Sequence, residues 1–145
     1  MVLTMREKPV ERSDTDGWPE PIRREFEEQQ FNGCVGTKLL SENERVRIWE
    51  IRLQPGERIG FHRHVLDYFW TAVTRGRARS HQHDGTTVEN TYSAGETRHD
   101  TYRNDEFKVH DLENIGPSEL IFTTVEFLHS ANEPLELLGK TALTK

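Results

Sequence analysis

From residue 46 to residue 128 the chain is a succession of short β-patterned runs, each closed by a turn signal, with no helical stretch between them. Many short strands at regular spacing bury their apolar faces by closing into a barrel or stacking as a sandwich. Trp49, Ile51 and Leu53 alternate with Glu50 and Arg52 until Pro55-Gly56 ends the run. Further strands are expected over 59–64, 68–74, 77–82, 87–92, 97–102, 106–112 and 119–128. Asp84-Gly85 reads as a tight hairpin, because this dipeptide tolerates the positive φ such turns need.

The flanks differ in kind. Residues 1–17 are charged and poor in apolar side chains, which predicts a mobile arm. Pro19 and Pro21 then precede a short helix expected over 22–30, with Ile22 and Phe26 sharing one side at i, i+4 spacing. The expected organisation is an N-terminal arm with a short helix (1–35), a barrel domain (36–132) and a surface-hugging tail (133–145).

Composition narrows the function. A net charge of −6 argues against a dedicated nucleic-acid binder, which carries a basic face. A single cysteine, Cys34, excludes an internal disulfide and fits a reducing compartment. No charged-then-apolar leader and no apolar run of membrane-spanning length is present, so a cytoplasmic protein without membrane contact is expected.

His62 and His64 stand two residues apart at the end of a predicted strand, so both imidazoles leave the same face. His110 offers a third nitrogen from another predicted strand. Three neutral imidazoles suit Zn, Fe, Ni or Cu and leave coordination positions open for water or substrate. Competing with this, the three histidines serve as hydrogen-bonded barrel residues without metal.

Gly56, five residues, His62-x-His64 and a downstream Gly76 resemble the first motif of the cupin superfamily, G-x5-H-x-H-x3-4-E-x6-G. His110-x3-Asn114 resembles the end of the second, G-x5-P-x-G-x2-H-x3-N. The resemblance implies an all-β fold, a small RmlC-like double-stranded β-helix (cupin jelly-roll barrel), with metal ligands His62, His64 and His110 in the barrel mouth. It implies a bound divalent transition metal: Fe, Zn, Ni or Mn. The departures are specific. Counting back from Gly76 puts Phe69 at the glutamate position, with Asp67 two residues away, and the second motif's proline and glycine positions hold Asp105 and Phe107.

Other residues receive lesser roles. His81 and His83 share strand parity with Arg77 and Arg79, which places them on the barrel exterior or rim. His99 is a reserve fourth ligand or base, although a surface position is the first expectation. Tyr68, Trp70, Tyr92, Tyr102 and Phe107 are candidate pocket aromatics, and Arg98 or Arg103 a candidate carboxylate clamp. Asn114 is read as structural, tying the turn after the metal strand. The run from Leu120 to Leu128 is apolar on both faces, so a second subunit or the arm should cover its outer side, and a homodimer is expected.

The expected function is that of a small metalloenzyme, of dioxygenase or isomerase/hydrolase type, acting on a small anionic metabolite that carries a carboxylate or carbonyl. Two alternatives stand beside it. One is a non-catalytic small-molecule-binding cupin; the other is a metal-free acid–base enzyme of the sugar-epimerase kind, which needs a His–Asp pair.

Overall fold

A computed structural model describes Thr15 and residues 17–137; the expected arm over 1–14 and the tail beyond 137 lie outside the described residues. Helix α1 (Glu20–Gln29) is followed by nine strands: β1 (Lys38–Glu42), β2 (Val46–Leu53), β3 (Arg58–His64), β4 (Tyr68–Ala72), β5 (Gly76–His81), β6 (Thr87–Tyr92), β7 (Thr97–Asp100), β8 (Lys108–Asn114) and β9 (Leu120–Phe127). They form two antiparallel sheets, β1-β2-β9-β4-β7 and β3-β8-β5-β6. β1, which the alternation rule missed, has four of its five residues exposed and therefore shows no two-faced pattern.

The inner faces interdigitate as a layered core. Leu53, Ala72, Ala78, Leu112, Leu120 and Phe122 fill one end of the barrel. Four residues back along β2 from Leu53, Trp49 packs with Val35 and Leu137 at the other. The start of the tail thus plugs the barrel through Leu137 rather than lying on its surface. Gly36 makes that closure possible, since a Cβ there would sit 2.7 Å from the Trp49 Cβ. Hairpin geometry is as predicted at Gly85, which has φ 91°.

Glu126 is buried in the same plug and accepts a hydrogen bond from Trp49 Nε1 at 2.8 Å. Burial pushes its carboxyl up to about 7, against the lowering influence of Trp49 and Arg47. An unfolded glutamate titrates near 4.5, so between these values the folded chain holds the extra proton. Glu126 therefore makes stability fall as pH rises from about 4.5 to about 7, with no further loss above. The buried histidines act in the opposite direction below their unfolded pKa, so the readout is a difference. Urea unfolding of wild type and Glu126→Gln should show the variant gaining about 2 kcal/mol relative to wild type between about pH 5 and pH 8. An unchanged difference would contradict this assignment.

Helix α1 starts at Glu20, two residues before the expected position, because Pro19 and Pro21 occupy positions whose N–H groups have no helical partner anyway. Its Phe26 docks on the outer face of the second sheet, with ring centroids 5.3 Å from Phe61, and Trp18 stacks on Phe61 at 5.5 Å. Glu25 fixes the register: it accepts the Phe61 N–H at 2.9 Å and forms a two-point pair with Arg58 at 2.9 and 3.0 Å. Gly60 is required there, since a Cβ would lie 2.6 Å from Glu25 Oε2. The helix thus covers the sheet that carries the histidines and leaves the outer face of β9 untouched.

Candidate metal centre

Alternation along β3 sends Phe61 and Arg63 outward under the helix and His62 and His64 into the barrel. A register shift lies between Ile59 and His62, after which His62 pairs directly with His110 of β8. Such a bulge re-aims side chains without ending the ladder. His62, His64 and His110 each offer a ring nitrogen within 4.8 Å of the others, the one such metal-competent group among the described residues.

The hydrogen bonds fix which nitrogen each ring presents. His62 Nδ1 lies 2.8 Å from the Gly60 carbonyl, which can only accept, so Nδ1 carries the proton. Ser80 Oγ donates to the Asp111 carbonyl at 2.6 Å and so accepts from His110 Nδ1 at 3.3 Å. Both rings therefore turn an unprotonated Nε2 toward the cluster, the arrangement of outer partners usual for metal-binding imidazoles. His64 has no such partner: its Nδ1 is buried without a hydrogen bond among the described residues. Its ring is held instead by stacking on Tyr68, with centroids 4.2 Å apart and planes 13° apart.

Burial drives all three imidazoles toward the neutral form. His62 falls to about 4, while His64 and His110 fall well below the ordinary value, with the nearby Lys108 charge contributing in each case. Neutral rings are what a metal needs. The separation of 3.2 Å between His64 Nε2 and His110 Nε2 matches the roughly 3.3 Å that two ligands at about 2.05 Å from a tetrahedral ion require. The donor set fits a divalent transition metal, with one pair of nitrogens at ligand spacing and all three within 4.8 Å of one another.

The cluster faces a cavity of about 180 Å3, also lined by Tyr68, Trp70, Tyr92, Gln82, Arg98 and Lys108. Trp70, Tyr92 and Phe122 meet edge to face at 4.9–5.5 Å and form its apolar wall.

Several expectations are corrected here. Phe69 does not replace an inward ligand: it faces outward, near His99 (5.4 Å) and Phe127 (6.1 Å). The inward neighbour of His64 at this point is Tyr68, because β4 pairs Tyr68 with Glu126 and Phe69 with Val125 on β9, and Glu126 points into the barrel. Asp67 is committed to the Tyr102 N–H at 3.0 Å and does not join the cluster. Tyr102 stacks behind Tyr68 at 6.3 Å, and Phe107 sits on the outer face beside His83 at 4.9 Å. Arg98 lines the cavity, whereas Arg103 is exposed and 3.8 Å from Glu106.

His81 and His83 do leave the outer face, but not into solvent. His81 Nδ1 is 2.9 Å from Asp111 Oδ2 and its ring meets Trp18 edge-on at 5.3 Å. His83 is buried and accepts the Val109 N–H at 3.1 Å. Sequence parity found their face; Trp18 of the N-terminal segment covers His81, and Phe107 covers His83. Asn114 is structural as expected, donating to the Leu53 and Ser118 carbonyls at 2.9 Å each and accepting from Gly116 N at 2.9 Å. Ser80, Gln82 and Lys108 carried no sequence signal.

No family model matches the chain, and no curated protein does. Solved structures do. A cupin domain from Bordetella pertussis Tohama I superposes with a TM-score of 0.55 at 28% identity, covering 67% of this chain and 95% of that one. An uncharacterized conserved protein with a double-stranded β-helix domain, from Klebsiella pneumoniae, gives a TM-score of 0.50 at 25% identity, covering 65% and 76%. An RmlC-like cupin family protein from Methanocaldococcus jannaschii gives 0.50 at 21%, covering 62% and 76%. Two sheets wrapped as a β-helix around inward histidines, with these likenesses, place the chain in the cupin superfamily.

Among the described residues, no helix is long and apolar enough to cross a membrane.

Proposed function

We propose that the protein is a metal-dependent cupin enzyme acting on a small carboxylate- or carbonyl-bearing metabolite. The observation that carries this is the convergence of His62, His64 and His110 on one point at the wall of a substrate-sized cavity. A divalent ion bound there supplies Lewis acidity and open coordination positions, which suits oxygen-dependent cleavage, isomerisation or hydrolysis. The chain's own contribution is orientation and exclusion of water. Ser80 and the Gly60 carbonyl set the ring tautomers, Tyr68 packs the third ring, and the aromatic wall keeps one side of the cavity dry. The metal-free acid–base alternative needs a carboxylate behind a barrel histidine, and among the described residues neither His62 nor His110 hydrogen-bonds one. The His–Asp pair of this fold, His81–Asp111, lies outside the barrel.

Elemental analysis of untagged protein after anaerobic loading with Fe(II) or Zn(II) tests the reading. About one ion per chain is expected; none in either case would overturn it. Loaded protein would then be screened for oxygen uptake with small carboxylic acids.

The same reading includes a homodimer. Ile121, Val125, Phe69 and the partly exposed Phe127 form an apolar outer face on the sheet that α1 does not cover. This supports pairing of that face with a second copy, and light scattering should give twice the chain mass. A clean monomer at micromolar concentration removes the dimer.

A further inference from the structure

We infer that Lys108 is the residue that selects a negatively charged carboxylate ligand for the histidine site; this rests on the metal reading above. Lys108 leaves β8 on the same side as His110, two residues on, and pairs across the ladder with His64. Its side chain lines the cavity with both histidines. Among the cavity-lining residues the charged ones are Glu96, Arg98 and Lys108. Arg98 and Glu96 pair with each other at 3.1 Å, and the Arg98 side chain is 68% exposed, so this pair is largely solvated and self-compensated. Lys108 is more enclosed, and its Nζ reaches Asp100 Oδ2 at 4.0 Å, the limit of an ion pair. Asp100 also hydrogen-bonds the buried Tyr68, so its carboxylate keeps a partner when Lys108 turns toward a ligand.

The charge balance of the pocket leads to the same ligand. Three neutral imidazoles and no carboxylate leave a divalent ion with its full charge, and Lys108 adds another cation beside it. Two positive centres in a largely buried cavity repel each other unless a ligand brings negative charge between them. A small carboxylate with a second oxygen donor meets both needs. Its oxygen donors take the open metal positions and its charge faces the ammonium. A neutral chelator of the same size satisfies the metal but brings no negative charge to Lys108, which keeps its long contact with Asp100.

Co(II)-loaded protein provides the test, because its visible spectrum reports ligand entry without turnover. Wild type, Lys108→Met and Lys108→Arg would be titrated with oxalate and with the neutral chelator glycolamide. Oxalate should bind Lys108→Met at least tenfold more weakly, Lys108→Arg should recover most of the loss, and glycolamide affinity should change less than twofold. Cobalt stoichiometry and thermal midpoint serve as checks that the site and fold persist. Retained cobalt with oxalate affinity unchanged in Lys108→Met, or an equal loss for both probes, overturns the role of Lys108 alone. Failure of the wild-type protein to hold cobalt overturns the metal reading and this inference with it.

Discussion

Replacing His62 and His64 together with alanine is expected to abolish metal binding, with affinity falling by well over 100-fold. The size follows from the ligand count. Loss of a single outer hydrogen-bond partner typically costs 10–100-fold, and here two of three direct ligands are removed. The fold should survive, because neither side chain anchors a sheet contact that β3–β8 pairing does not already supply. Elemental analysis with circular dichroism checks both halves of the expectation. Ser80→Ala should fall between wild type and the double variant, since it removes the acceptor that orients His110. His99→Ala, on the outer face beside Phe69, should match wild type. Full metal content in the double variant would show that the ion sits elsewhere.

The second large effect is on stability. Asp111 is fully buried and accepts three hydrogen bonds: from Arg58 Nε at 2.7 Å, from His81 N at 2.6 Å and from His81 Nδ1 at 2.9 Å. Arg58 in turn holds Glu25 of α1, so one carboxylate ties β8, β5, β3 and the helix together. Removing one member of a buried charge network leaves its partners desolvated and uncompensated, which costs about 3–5 kcal/mol. Asp111→Ala should lose stability in that range by urea denaturation, with the helix released first in hydrogen exchange. The contrast is Glu89→Ala, whose pairs with Arg77 and Arg79 are solvent-exposed and should cost no more than about 1 kcal/mol. A loss below about 1 kcal/mol for Asp111→Ala would mean that the network contributes geometry without stability.

Period-two patterning read the barrel strands well because their inner residues contact other barrel residues along the same short segment. Trp49, Ile51 and Leu53 are buried where alternation placed them. The same rule failed at β1, whose residues are mostly exposed, and at the far end of β7, which stops at Asp100. Counting along a motif failed at Phe69 for a related reason. A spacing rule presumes a fixed loop length, whereas the face a side chain takes is set by the ladder with β9. Tyr68, not Phe69, therefore faces His64.

By itself the sequence determined the all-β architecture and the shared face of His62 and His64, because both rest on backbone periodicity carried by near neighbours in the chain. The inward direction of that face and the partnership with His110 came through the likeness to the cupin motifs, and Asn114 ties its turn partly through Leu53, a residue far away in sequence. Tertiary structure decided the rest. It buried His81 and His83 under Trp18 and Phe107, drew Leu137 into the barrel end, raised Glu126 by desolvation, and brought Lys108 beside the histidines. Those properties depend on what covers a side chain and which charge lies across a cavity. Residues far apart in sequence supply both.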